Sequence, residues 1–249
     1  MTIFIAIYIT LLGIILGSFY NVVALRVPVQ ESLIHPPSHC PGCNTRLKRR
    51  DLIPVFSYLI SGGKCRYCGS KVSPLYPLGE TVTGLLFLWV YLEFGLTGQG
   101  LLGFLLVSLS IIITVADLKY MLIPNKVLLF FLPIFLIVVP FMGEFSLWQH
   151  LLGAVVGGGV TLLLALFGGM GLGDVKLFAL LGWVIGFPNV ILAFMLACLL
   201  GTVVGGLLIV FRIVHKKQPF PFGPSLAAGA LITYGYGSAL ISTYFSLIG

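Results

Sequence analysis

The chain has 249 residues, 59% of them hydrophobic and only 8% charged, with a formal net charge of +7. An ordinary soluble domain carries about 25% charged residues, so this composition, with a mean hydropathy of +1.12, excludes one and points to a polytopic membrane protein. The basic surplus forms no stripe interleaved with stacking aromatics, so nucleic acid is not an expected partner.

Apolar runs of about 20 residues, the length that crosses the hydrocarbon core, give candidate spans at 3–25, 76–96, 101–117, 127–142, 148–167, 175–187, 190–211 and 222–247. The expected fold is all-α, with about eight transmembrane helices, the sixth of them short. No positive residue precedes the first run and Arg26 follows it, which argues for a retained helix and against a cleaved signal peptide. Arg26, Arg46, Lys48, Arg49, Arg50, Lys64, Arg66 and Lys71 all lie between spans one and two, and the positive-inside rule places that segment in the cytoplasm. The N-terminus is then outside. By parity Lys119 and Lys126, then Lys176, then Arg212, Lys216 and Lys217 fall in cytoplasmic loops, so all 14 basic residues share one side. Glu93 and Glu144 are the charges left to outer turns. A re-entrant hairpin turning at Pro188-Asn189 is the alternative to two full crossings between Lys176 and Arg212. Loop charges of this sign also suit anionic lipid headgroups, which makes membrane lipid an expected partner.

Three regions follow: a first helix at 1–25, a cytoplasmic segment at 26–75, and a multi-span domain at 76–249. The segment holds Cys40-Pro-Gly-Cys43 and Cys65-Arg-Tyr-Cys68, with 21 residues between the pairs. Two such pairs read as the knuckles of a zinc-ribbon-like loop, each presenting two thiolates to one tetrahedral Zn2+. Two disulfides are the competing reading, and a cytoplasmic location favours thiols. A closed four-cysteine site is structural, folding a small module that has little core of its own. Gly42 and Gly69 suit the tight turns, His35 and His39 are spare ligands, and Cys198, inside an apolar run, reads as packing.

Only three aspartates occur, and two of them, Asp117 and Asp174, stand where an apolar run meets a polar stretch. Ionisable residues at such places are costly, so function is their default reading. Asp174 follows the glycine-rich stretch 168–173 and opens an apolar helix, so N-capping alone would account for it. Asp117 closes its span, where the helix dipole disfavours negative charge, so capping does not account for it. If the two carboxylates meet, like-charge repulsion makes them share a proton; one member then activates water while the other polarises a scissile carbonyl. Lys119 and Lys176, two positions on, face elsewhere on their helices and are expected to snorkel to headgroups. Glu80, at the start of span two, either favours the helix dipole or binds a cation. Gly153-x-x-x-Gly157, Gly182-x-x-x-Gly186 and Gly201-x-x-x-Gly205 read as helix-packing spacings. Pro219-Phe-Pro-Phe-Gly-Pro224 interrupts the chain before the last span, or, in a protease, lies over the active site.

Taken in order, Gly17-Ser-Phe-Tyr-Asn-Val-Val-Ala-Leu-Arg-Val-Pro28, the two cysteine pairs, Tyr76-Pro-Leu-Gly-Glu80, Asp117-Leu-Lys-Tyr-Met-Leu-Ile-Pro-Asn125, Gly171-Leu-Gly-Asp-Val-Lys-Leu177 and Pro219–Pro224 resemble a bacterial type IV prepilin peptidase, a membrane aspartyl protease of the GxGD type. The resemblance covers nearly the whole chain. It implies a cytoplasmic-membrane enzyme that cuts a short basic leader from prepilin or pseudopilin substrates, with Asp117 and Asp174 at the catalytic positions. It implies as well N-methylation of the new terminus from S-adenosylmethionine, an activity associated with the long cytoplasmic segment, with Glu80 a candidate for the cationic group of substrate or methyl donor. No Rossmann-type glycine fingerprint supports that cofactor. The rival classes are a transporter or channel with intramembrane carboxylates, a GxGD protease that cuts inside membrane helices, and a scaffold whose zinc module binds a partner.

Overall fold

A backbone crossing lipid must satisfy its own hydrogen bonds, and a helix does so within one segment. The computed structural model describes residues 2–142, 145–211 and 220–248, and these residues contain helices and no strand. Glu144, Arg212, Lys216, Lys217 and Pro219 of the sequence reading lie outside the described residues. The helices are α1 (Thr2–Arg26), a short α2 (Phe56–Ile60), α3 (Leu75–Phe94), α4 (Gly98–Tyr120), α5 (Asn125–Met142), α6 (Leu147–Leu166), α7 (Leu172–Ile185), α8 (Asn189–Val210) and α9 (Gly223–Ile248). All except α2 coincide within a few residues with the eight apolar runs. Helices α1, α3, α4, α5, α6 and α8 are long and apolar enough to cross a membrane. With 14 residues, α7 rises only about 21 Å, short of a hydrocarbon core of roughly 30 Å. At 22 residues α8 has full crossing length, so the two are not a pair of short helices.

The chain forms two compact units, Met1–Gly95 and Leu96–Gly249. In the first, α1 lies against α3 where side chains are smallest. A Cβ on Gly13 would come within 2.9 Å of the Gly84 Cα, and one on Gly17 within 2.8 Å of the Thr83 hydroxyl. In the second unit α4 is the most deeply buried span. Thr97 starts it by accepting the Gly100 amide at 3.1 Å, and Met121 ends it in the left-handed conformation. The packing expected of Gly153, Gly157 and Gly182 is present: a Cβ on Gly153 would fall on the Gly182 carbonyl oxygen, and one on Gly157 would reach the Phe178 carbonyl. Gly201 packs on Phe222, but Gly205 faces open space, so the third of these spacings is used at one glycine only.

Candidate active site and metal centre

The second unit gathers its functional residues where α4 ends and α5, α7 and α9 begin. Asp117 sits in the last turn of α4, only 5% exposed, and its carbonyl accepts the Met121 amide that closes the helix. Its carboxylate Oδ2 accepts the Gly223 N–H, the first amide of α9, at 2.8 Å. That geometry corrects the sequence reading: Asp117 does cap a helix, but a distant one, 106 residues along the chain. Pro224 has no N–H, and the Ser225 and Leu226 amides turn back to the Phe222 carbonyl, so Asp117 serves the free donor of that turn. A Cβ at Gly223 would stand 2.8 Å from Asp117 Oδ2, so only glycine lets the carboxylate approach.

Asp174 is half-buried in the first turn of α7. The N-cap of that helix is Gly171, and Asp174 reaches back three residues, its Oδ2 accepting the Gly171 N–H at 3.1 Å. Capping thus engages one oxygen of each aspartate. Asp174 is near enough for its charge to be felt at Asp117, a smaller influence there than burial and the Gly223 amide. Two contacts bring their helix ends together: Gly173 lies against Ile123 in the α4–α5 connection, and Lys176 Nζ donates to Asn125 Oδ1 at 3.0 Å. Lys176 therefore has a protein partner in place of the expected headgroup, while Lys119 is exposed. The Phe220–Phe222 stretch is not helical, as the proline pattern demands.

In the first unit, the four cysteine sulfurs lie within 4.8 Å of one another, and Cys40 Sγ is 3.8 Å from Cys68 Sγ. Four thiolates at about 2.3 Å from a tetrahedral zinc stand about 3.8 Å apart, so the donor set fits that ion. All four are free thiols, which removes the disulfide reading, and neither His35 nor His39 belongs to the cluster. The two knuckles repeat one backbone pattern. Cys40 N–H bonds to the Thr45 carbonyl and Asn44 N–H to the Cys40 carbonyl; Cys65 N–H bonds to Ser70 and Gly69 N–H to Cys65 in the same way. Asn44 (φ 53) and Gly69 (φ 73) occupy the equivalent left-handed position. Gly42 lies within the first turn, as expected, and makes room there for Ser70, whose hydroxyl a Cβ would approach to 2.9 Å.

Ser70 also explains the electrostatics. Its hydroxyl, with the Gly42 and Cys43 amides, lowers the Cys40 thiol to about 6, and the same hydroxyl holds Cys68 below its ordinary value. At Cys65 the Tyr67 and Cys68 amides pull the thiol down, but burial and then the Cys40 and Cys68 thiols together leave it raised. Nearby, burial pushes the Asp51 carboxyl up, but the Tyr67 hydroxyl, the Lys48 amide and the Arg66 and Arg50 guanidiniums together hold it below the usual carboxylate value. Asp51 thereby joins the stretch between the pairs to the second knuckle.

Glu80 is 7% exposed within α3, and its Oε2 accepts the Val55 N–H at 2.7 Å, with the Ser18 hydroxyl a second partner. The ion pairs of unit 1 among the described residues are those of Asp51, so Glu80 is a buried carboxylate facing neutral donors. Beside it Asn21 Nδ2 donates to the Tyr76 carbonyl at 3.0 Å, while its Oδ1 lies against Gly79 without a partner. Val55, which holds Glu80, lies outside every motif singled out in the sequence, whereas Gly223, which holds Asp117, belongs to the 219–224 run offered there as lying over the active site.

Residues 11–94 match the Bacterial Peptidase A24 N-terminal domain, and residues 104–207 match the Type IV leader peptidase family. The first stretch contains the four cysteines and Glu80, the second both aspartates. The chain is 40% identical over 238 residues to a prepilin leader peptidase/N-methyltransferase of Bacillus subtilis, covering 94% of this chain and 96% of that one. It is 33% identical over 269 residues to the Pseudomonas aeruginosa protein of the same name, covering 96% and 93%. To the one from Neisseria gonorrhoeae it is 33% identical over 254 residues, covering 90% and 87%. No solved structure matches the chain. Peptidase ancestry across almost the full length decides against the transporter, channel and scaffold classes. The chain belongs to the Type IV leader peptidase family and is a multi-pass aspartyl peptidase of the bacterial cytoplasmic membrane.

Proposed function

We propose that this enzyme removes the short basic leader of type IV prepilin-like substrates at the cytoplasmic membrane face, with Asp117 and Asp174 as the catalytic pair. The observation that carries the reading is the buried Asp117 carboxylate, fixed through one oxygen by the Gly223 amide and within electrostatic range of Asp174. The ionised member takes a proton from water as the oxygen adds to the scissile carbonyl; the protonated member polarises that carbonyl. Collapse of the tetrahedral intermediate breaks the C–N bond, leaving the leader with a carboxylate and delivering a proton to the new amine. The orientation follows the charges, with the N-terminus outside and the helix ends that bear both aspartates inside.

Methyl transfer to the new amine belongs to the same proposal, because the matched relatives are named for both activities and this chain keeps the whole 26–75 segment. In it Cys40, Cys43, Cys65 and Cys68 hold a structural zinc. Glu80 is the residue that meets a cation, either the substrate amine or the sulfonium of S-adenosylmethionine, since its burial among neutral donors leaves its charge uncompensated. S-adenosylmethionine, when bound, supplies the methyl group. A synthetic prepilin segment incubated with the purified enzyme and S-adenosylmethionine tests the reading, with mass spectrometry following both products. Cleavage ahead of the hydrophobic stretch and a mass gain of one methyl are expected. Glu80→Gln is expected to lose most methylation, and a variant with both activities intact removes Glu80 from the site.

A further inference from the structure

Between the cysteine pairs, residues 52–60 read Leu-Ile-Pro-Val-Phe-Ser-Tyr-Leu-Ile, an apolar stretch inside a polar segment that neither metal binding nor peptide cleavage requires. Its side chains do not form a core. Leu52, Ile53, Phe56, Leu59 and Ile60 are 45, 51, 59, 67 and 75% exposed. Phe56, Leu59 and Ile60 stand at the i, i+3, i+4 spacing that puts them on one face of α2. Such a patch in water is unfavourable, and contiguous exposed apolar surface marks an interaction site.

Two observations say what covers it. The first is depth. Val55, the residue that starts α2, is tied by its N–H to Glu80, the sixth residue of the spanning helix α3 and so about 8 Å along it. Val55 itself has φ 60 and ψ −54, a positive-φ conformation rare for a β-branched residue. By its bond to Glu80 the start of α2 is held level with the first turns of a membrane helix. The second is charge. Arg46, Lys48, Arg49 and Arg50 precede the stretch, Lys64 and Arg66 follow it, and all six are exposed. The acidic residue between them, Asp51, is already engaged by Arg50 and Arg66. An apolar face flanked by cations is the pattern of an element lying in a bilayer interface, where headgroup phosphates meet the basic rim and acyl chains the apolar side chains.

We infer that residues 52–60 dock into the headgroup–acyl boundary of an anionic phospholipid surface and so hold the four-cysteine module against the membrane. The inference rests on the multi-pass character of the chain and is independent of the roles of Asp117, Asp174 and Glu80. The test places p-benzoylphenylalanine at Leu59 or at Ile60 of the full-length enzyme in nanodiscs, with illumination and mass analysis of the adducts. Retained leader cleavage, where the wild type cleaves, or an unchanged melting profile certifies the labelled protein. Acyl-chain adducts at both positions are expected, with a yield that falls several-fold when phosphatidylglycerol is replaced by phosphatidylcholine. Adducts to protein only, whether to the same chain or a second copy, overturn the inference, as does the absence of adducts. A lipid yield indifferent to headgroup charge removes the anionic surface as the partner and overturns it equally.

Discussion

At Asp117, proposed here as catalytic, one carboxylate oxygen accepts the Gly223 amide and the other is left for the proposed chemistry. The arrangement couples the position of a reactive group to the start of α9, so a change that leaves every carboxylate in place should still be costly. Gly223→Ala puts a methyl group 2.8 Å from Asp117 Oδ2 and forces one of them to move. A displacement near 1 Å at a reacting group costs about 100-fold in rate, and a loss of that order in kcat is expected, with the melting temperature little changed, measured by leader cleavage and thermal unfolding. The two aspartates were legible because acidic residues are so scarce here that their placement stands out. The bond from Gly223 to Asp117 was not, because a contact over 106 positions leaves no local periodicity to read. For the same reason capping was set aside for Asp117: helix-end rules address a residue's own helix, and this one caps another.

The four-cysteine module shows what an element can reveal before its structure is known. Spacing alone placed two knuckles, because the Cys-x-x-Cys geometry is set by one turn of backbone. It did not place the left-handed residue, since Asn44 in the first knuckle takes the conformation that Gly69 takes in the second, and asparagine is the non-glycine residue that tolerates it best. If the cluster holds structural zinc, the purified enzyme contains about one zinc per chain. Cys65→Ser should lose it, and segment 26–75 should become open to protease while the spans stay resistant; metal analysis and limited proteolysis check both. Zinc-free protein with an equally resistant segment would contradict the assignment. The short α2 went unnoticed because five residues are too few for a helical period to emerge.

Across the described residues, hydropathy located eight helices to within a few residues, and six of them are long and apolar enough to fill a lipid-length segment. Its weak point is α7, where the helix is short and the polar start at Gly171–Asp174 displaces the apolar run. Charge supplies what hydropathy lacks. With the N-terminus outside, a single cysteine placed at Glu93 should react with an impermeant maleimide from the outer side, and one at Lys71 or Lys119 only from the inner side. Lys71 labelling from outside would invert the topology and move both aspartates to the wrong face for a cytoplasmic leader.

The central claim is that proteolysis depends on both carboxylates and not on the folds they cap. Asparagine keeps the side-chain oxygen that accepts the Gly223 or the Gly171 amide while removing the charge, so Asp117→Asn and Asp174→Asn separate capping from chemistry. Leader cleavage by the wild type and each variant is the measurement, with melting temperatures taken on the same preparations. Loss of cleavage by about three orders of magnitude or more in both, as for removal of a catalytic acid or base, with melting unchanged, is the predicted result. Substantial cleavage by either folded variant would contradict the two-aspartate mechanism and leave that residue a helix cap.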